Sequence, residues 1–272
     1  MTHSARLKLL LAGILFSALL AAGAVAAGVL SARGVLRLPA VARRAVWWFT
    51  YTGTPTGFAR SGYAALLAML ATGFFFALRL RWLFARTASP EDYYFLFFLC
   101  SLSFEAFRVL ALLLADGPAL LLLLLSRAVY AGRLFGTLCL FGASLFSLEI
   151  RYSRLGTLLG IAALLSLLFS YTLPLDSSVF LANGLHRLGD ERGAAIVFFA
   201  LYLFIIANPA VMALREQTAE PLAYAGALAL VLGGRELLFF SATIAAAAAG
   251  LVVLVAGCIL FAARSERVST SM

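Results

Sequence analysis

An all-α fold, a polytopic transmembrane helical bundle of eight spans, is what this sequence predicts. Three observations carry that reading. Apolar runs recur along the chain, and a run of about 18 or more residues is long enough to cross hydrocarbon as a helix. Of the 272 residues, 64% are hydrophobic and only 12% charged, with a mean hydropathy of +1.02, too apolar for a soluble domain of this size. The charges gather at the ends of the apolar runs, where loops meet lipid head groups. Residues 1–272 read as a single integral membrane domain.

Arg6 and Lys8 precede the first apolar run, about 9–30. A positive start followed by Ala22-Gly23-Ala24 resembles a signal peptide, but the run exceeds the usual h-region of roughly 7–15 residues. An uncleaved first span is expected; cleavage would leave seven spans. Residues 31–61 form a long connection rich in arginine, with Trp47, Trp48 and Phe49 in its middle. Arginine beside adjacent tryptophans predicts a segment lying in the interface. Gly53, Pro55 and Gly57 predict a loop after it.

The second span, about 63–80, ends in Arg79, Arg81 and Arg86. Ser89-Pro90-Glu91-Asp92 opens the third, about 92–115: Ser or Asp can cap, Pro fits the first turn, and acids suit the positive helix end. The turn Asp116-Gly117-Pro118 leads to the fourth span, about 119–148, long enough to tilt or protrude. The fifth covers about 155–173. Gly132-x-x-x-Gly136 and Gly156-x-x-x-Gly160 would let helices approach closely, chiefly within the chain. Residues 174–193 make a second long connection, in which His186, Asp190 and Glu191 read as a solvated face. The sixth span is about 194–214, with Asn208-Pro209 near its end. The seventh (about 222–240) and eighth (about 243–263) are joined by almost no loop, and Ala245 to Gly250 with Gly257 predict tight packing of the eighth.

The short connections place basic residues on the side of the N-terminus, so both ends are expected in the cytoplasm and the protein in a bacterial cytoplasmic (inner) membrane. The Arg-rich 31–61 connection departs from the rule. The net charge of +9 thus serves topology and lipid head groups, and nucleic acid is not an expected partner. Cys100, Cys139 and Cys258 are isolated within spans and read as small core residues. No metal or phosphate-loop motif is present, and no cofactor is expected.

Charges inside the spans are the unusual feature, since each costs roughly 3 kcal/mol at a bilayer centre. Six residues form the candidate site: Glu105, Arg108, Arg127, Arg133, Arg235 and Glu236. At a rise of about 1.5 Å per residue, with the outer turns level, Glu105 and Arg127 share a depth of roughly 15 Å, and Arg108, Arg235 and Glu236 one of roughly 10 Å. Glu105–Arg127 and Arg108–Glu236 pairs follow, leaving Arg133, roughly 22 Å deep, without an account. Surplus guanidinium forks suit a carboxylate, a phosphate or a lipid head group. Paired charges that merely fix helix packing are the bland alternative. An enzyme is not favoured: Gly142-Ala143-Ser144 resembles part of an intramembrane serine-protease motif, but no span offers a histidine as base.

The stretch from Ser89 to Phe95, then Ser101 to Arg108, then Arg133-Leu134-Phe135-Gly136 resembles uncharacterised integral membrane proteins of spirochaete-type bacteria. More weakly, it is similar to the seven-transmembrane sensor modules of bacterial signalling proteins. That second resemblance implies recognition of a ligand, and such sensors couple their spans to an output domain. The function expected is therefore a receptor-like or partner-binding membrane module with a polar Arg/Glu site in its outer half. Its partners would be the bilayer, an anionic ligand or lipid head group, and another membrane protein. A transporter of an anionic solute or lipid, and a lipid-modifying membrane enzyme, are the alternatives.

Overall fold

A computed structural model of the chain describes residues 3–32, 43–46, 49–52, 58–87, 89–114, 117–146, 155–180, 184–241 and 243–271. Within them the chain is an all-α bundle with two short hairpins. Its helices are α1 (His3–Ala32), α2 (Phe58–Thr87), α3 (Pro90–Ser101), α4 (Ala106–Leu113), α5 (Ala119–Phe146), α6 (Leu155–Thr172), α7 (Glu191–Glu216), α8 (Ala219–Phe239) and α9 (Ile244–Ser271). With α3 and α4 taken as one span, eight helices are long and apolar enough to cross a membrane. These are the spans of a multi-pass membrane protein.

Two departures from the sequence reading concern backbone. The third span is not one helix: a 3-10 turn, Leu102–Glu105, separates α3 from α4. Such a turn inside a helix tightens the chain locally and often marks strain or function, and it holds Glu105. In the first connection, β1 (Arg43–Val46) pairs antiparallel with β2 (Phe49–Thr52), a hairpin that the sequence reading did not assign. Trp47, Trp48 and the Gly53–Gly57 stretch lie outside the described residues, as do Asp116 and Asn183.

The first helix belongs to the bundle: Leu10, Ile14 and Ser17 are buried, and the Tyr63 hydroxyl of α2 donates to the Ala24 carbonyl. The most enclosed helix is α3, in which every residue from Asp92 to Ser101 is buried. Its aromatic run makes the core, and Phe95 stacks on Phe261 of α9 with centroids 3.7 Å apart. Large apolar side chains such as Leu15, Phe75, Leu168, Phe199 and Val252 point outward, as a bundle solvated by lipid requires.

Close approach follows the small residues. A Cβ on Gly132 would meet the Phe104 side chain and one on Gly136 the Ser101 side chain, so this glycine pair seats α5 against the third span within the chain. Gly160 faces open space. Likewise a Cβ on Gly257 would come within 2.7 Å of the Val231 backbone nitrogen and one on Gly250 within 2.9 Å of the Leu238 nitrogen, so these glycines let α8 and α9 pack backbone to backbone. Pro209 lies inside α7, about two turns before its end.

One end of the bundle is tied by charge. Arg264 of α9 pairs with Glu91 of α3 and approaches Glu220 of α8 at 3.5 Å. The Ser265 hydroxyl lies 2.7 and 2.6 Å from the two carboxylate oxygens of Asp92, which is only 1% exposed. Glu91 and Asp92, read from the sequence as helix-end acids, thus also have tertiary partners; the Ser89 side chain makes no cap bond.

The candidate functional site, a buried arginine cluster

The cluster is built where α5, α7 and α8 meet. Arg133 of α5 pairs with Glu236 of α8, and Arg235, the preceding residue on α8, approaches the same carboxylate at 3.6 Å. The Tyr202 hydroxyl of α7 donates to Glu236 Oε1 and accepts from Arg235 Nη2 at 3.2 Å. Arg235 also donates to Thr137 Oγ1 at 2.9 Å and to the Arg133 carbonyl at 3.3 Å, while the Thr137 hydroxyl donates to that same carbonyl at 3.0 Å. The side chains of Arg133, Arg235 and Glu236 are 0–2% exposed. Hydrogen bonding on this scale is what lets charges persist away from water.

Aromatic faces close the remaining sides. The Arg133 guanidinium lies 3.7 Å from the centroid of Phe239, 5.1 Å from that of Phe240 and 5.3 Å from that of Phe198. Phe239 is shared: Arg108 of α4 sits 4.7 Å from the same ring and reaches its carbonyl at 3.4 Å. Ring faces attract guanidinium charge most strongly where water is excluded. Through this ring the Arg133–Glu236–Arg235 group adjoins a second pair, Arg108–Glu105 at 3.0 Å.

Both pairings expected from depth are therefore corrected. Glu105 meets Arg108, one turn on along its own span, instead of Arg127. Glu236 meets Arg133 and Arg235 instead of Arg108. The physical reason is register. Glu236 lies about 5 Å from the C-terminal end of α8 and Arg133 about 21 Å from the N-terminal end of α5. Their contact means that α5 extends beyond α8 by roughly 16 Å at that end of the bundle, so the turns there are not level. Arg133, unexplained from sequence, becomes the centre of the cluster.

Arg127 is not in it. Half-buried, it donates to the Tyr171 carbonyl at 2.6 Å and lies 4.9 Å from the Tyr171 ring, at the C-terminal end of α6. Long cationic side chains reach the interface in this way. Three guanidiniums and two carboxylates remain in the buried set, one positive charge in surplus. Among the described residues Arg235 Nε has no hydrogen-bond acceptor.

Tyr202, Thr137 and His186 are site residues that sequence reasoning missed. Tyr202 and Thr137 carried a legible signal, since each is a polar residue within an apolar span. His186 did not. Read as solvated, it is 3% exposed. It lies in the hairpin β3 (Leu175–Phe180) and β4 (His186–Leu188), which packs against α4 and the N-terminal half of α5. The His186 backbone N–H donates to Ser126 Oγ at 3.0 Å, and its carbonyl accepts from the Tyr130 hydroxyl at 3.4 Å. Gly184 has φ +79°, and a Cβ there would come within 2.6 Å of the Arg108 carbonyl. Only glycine suits that position. The hairpin thus packs on α4 at Arg108 and on α5 at Ser126 and Tyr130, one turn from Arg133.

Deeper polar contacts are separate from it. Asn208 Nδ2 donates to Ser144 Oγ at 3.0 Å, roughly 10 Å further along α5 than Thr137. Cys139 and Leu140, both fully buried, fill the interval. Among the described residues no group of three or more His, Cys, Asp or Glu could hold a metal ion. No family model, curated protein or solved structure matches the chain.

Proposed function

We propose that this chain is a receptor-like membrane-embedded binding module that holds an anionic group in its outer half. One observation carries the reading: two guanidiniums, Arg133 and Arg235, converge on the single carboxylate of Glu236 in a water-excluded site. A ligand carboxylate or phosphate would share or replace Glu236 in those forks, and the donor left on Arg235 would serve it. Access would come from the hairpin side, by movement of residues 184–188 away from Ser126 and Tyr130. The protein would sit in a bacterial inner membrane with both ends in the cytoplasm. The resemblance to bacterial sensor modules favours the same role. A transport path would need polar groups continuing inward, and the apolar interval at Cys139 and Leu140 speaks for binding over transport.

The test is a thermal-shift and calorimetric screen of small carboxylates and phosphates against detergent-solubilised protein. Some anion is expected to stabilise the parent, and Arg235→Lys should weaken it at least tenfold, because an ammonium lacks the planar fork. The charge-neutral double variant Arg133→Met with Glu236→Met keeps the volume and should abolish the response. Retention of the full response by that double variant would sink the proposal, as would a screen without a hit.

A further inference from the structure

Where α1 begins and α2 ends, two arginines face each other. The register of these antiparallel helices is fixed by the Tyr63 hydroxyl of α2, which donates to the Ala24 carbonyl of α1. Arg6 lies 18 positions before Ala24, and Arg81 lies 18 positions after Tyr63. Eighteen residues make about five full turns, or roughly 27 Å. Arg6 therefore stands on the helix face of Ala24 and Arg81 on that of Tyr63, at one level. Leu70, on this same face of α2, packs with Ala24 and Ala27, so the face is turned to α1. Arg6 is the third residue of its span, Ser4–Leu30, and Arg81 the fourth from the end of its own, Gly62–Phe84. Both are at head-group depth.

A third helix brings a hydroxyl to the same level. A Cβ on Gly13 of α1 would lie 3.3 Å from Cys100 Sγ of α3, and the Ser17 hydroxyl reaches the Cys100 carbonyl at 3.4 Å. Seven positions before Gly13 stands Arg6, and seven before Cys100 stands Tyr93. The Arg6 guanidinium is close enough for its charge to act on the Tyr93 hydroxyl. Tyr93 is 0% exposed, and its hydroxyl makes no hydrogen bond among the described residues. The Nε atoms of Arg6 and Arg81 are buried as well, and among the described residues they too have no acceptor.

Other arginines at this end of the bundle have carboxylates. Arg79, on the α9 side of α2, pairs with Glu266 at 2.9 Å, and Arg264 pairs with Glu91. Among the described residues Arg6 and Arg81 form no ion pair. Two like charges on facing helices, with buried donors and no acceptor, are complementary to an oxyanion. Guanidinium forks suit a phosphate best. Head-group depth makes membrane lipid its source, and the positive-inside pattern places this end in the leaflet whose anionic lipids attract arginine. None of these residues belongs to the arginine cluster.

We infer that Arg6, Arg81 and Tyr93 hold the phosphate of an anionic phospholipid, clamped between α1, α2 and α3. The experiment compares palmitoyl-oleoyl phosphatidylglycerol, phosphatidylcholine with the same chains, and inorganic phosphate, each added to delipidated protein in detergent. Melting and native mass spectrometry are the readouts. Phosphatidylglycerol should raise the melting temperature by about 5 °C and remain bound; the other two should do neither. Arg6→Gln with Arg81→Gln should lose that increment. Without lipid the same variant should melt at or above the parent, because it relieves a repulsion; neutralising an arginine that had a partner in the chain would do the reverse. Tyr93→Phe should weaken phosphatidylglycerol binding by about threefold to tenfold. Arg79→Gln, which removes a charge already paired with Glu266, should keep the increment. Equal stabilisation by phosphatidylcholine, or an increment reproduced by inorganic phosphate, would overturn the assignment to an anionic lipid. An unchanged increment in the double variant, unchanged binding by Tyr93→Phe, a double variant melting well below the parent without lipid, or an equal loss in Arg79→Gln would each overturn the site.

Discussion

Glu236 is the residue on which the interior charge balance turns. It is the carboxylate facing both Arg133 and Arg235, so Glu236→Gln leaves two guanidiniums buried with only neutral acceptors. Removing one partner of a buried pair typically costs about 3–5 kcal/mol, and denaturant unfolding in detergent should show a loss of that size. Arg127→Gln is the contrast. Its carbonyl and ring contacts lie at the rim, and the change should cost about 1 kcal/mol or less. A loss at Arg127 as large as that at Glu236 would restore the Glu105–Arg127 pairing expected from depth. That expectation failed for a definable reason. Residue spacing gives the height of a side chain above its own helix end, but not the offset between the ends of two helices. The six charges could be picked out because each is costly in hydrocarbon; their partners depended on an offset that only packing sets.

Small residues sort the helices into faces that meet protein and faces that meet lipid. Gly234 lies against the Leu254 backbone, with its Cβ position 2.6 Å from Leu254 Cα. Gly234→Ala should therefore separate α8 from α9 and destabilise the protein by roughly 1–3 kcal/mol. Gly226→Ala, on the open face, should be neutral or stabilising by up to about 1 kcal/mol. Parallel unfolding curves of the two variants would check the difference. Spans and glycine contacts at 132, 136, 250 and 257 were legible in the chain, because apolar length and small-residue spacing are local properties. The 3-10 turn at Leu102–Glu105 was not, since its residues fit a continuous helix equally well. Nor was the burial of His186: a short polar connection reads as exposed unless its tertiary cover is known.

For the molecule as a whole, the three spans α7, α8 and α9 that follow the β3–β4 hairpin put it and the end of α9 on opposite sides of the membrane. Cys100, Cys139 and Cys258 are buried, so an impermeant maleimide should leave the native parent unlabelled and react after denaturation. Single cysteines at the exposed positions Ser177 and Glu266 should then label from opposite sides of intact cells or inverted vesicles. Labelling of both from one side would break the eight-span topology; labelling of Ser177→Cys from the cytoplasm would invert the orientation.

The adjacency of Arg235 and Glu236 bears on how the chain enters the bilayer. The α8 segment carries a cation and its counter-charge side by side, and the third span does the same with Glu105 and Arg108. Each can partition as an electroneutral unit while the ribosome is still at work. The α5 segment cannot: Arg133 meets its carboxylate only when residue 236, more than a hundred positions later, has emerged. Until then α5 bears an uncompensated charge at a depth where one costs about 3 kcal/mol. Nascent chains arrested before residue 219 should hold α5 loosely, open to protease or to slippage along the membrane normal. Chains arrested after α8 is released should protect it, which makes commitment of the fourth span a late event in biogenesis.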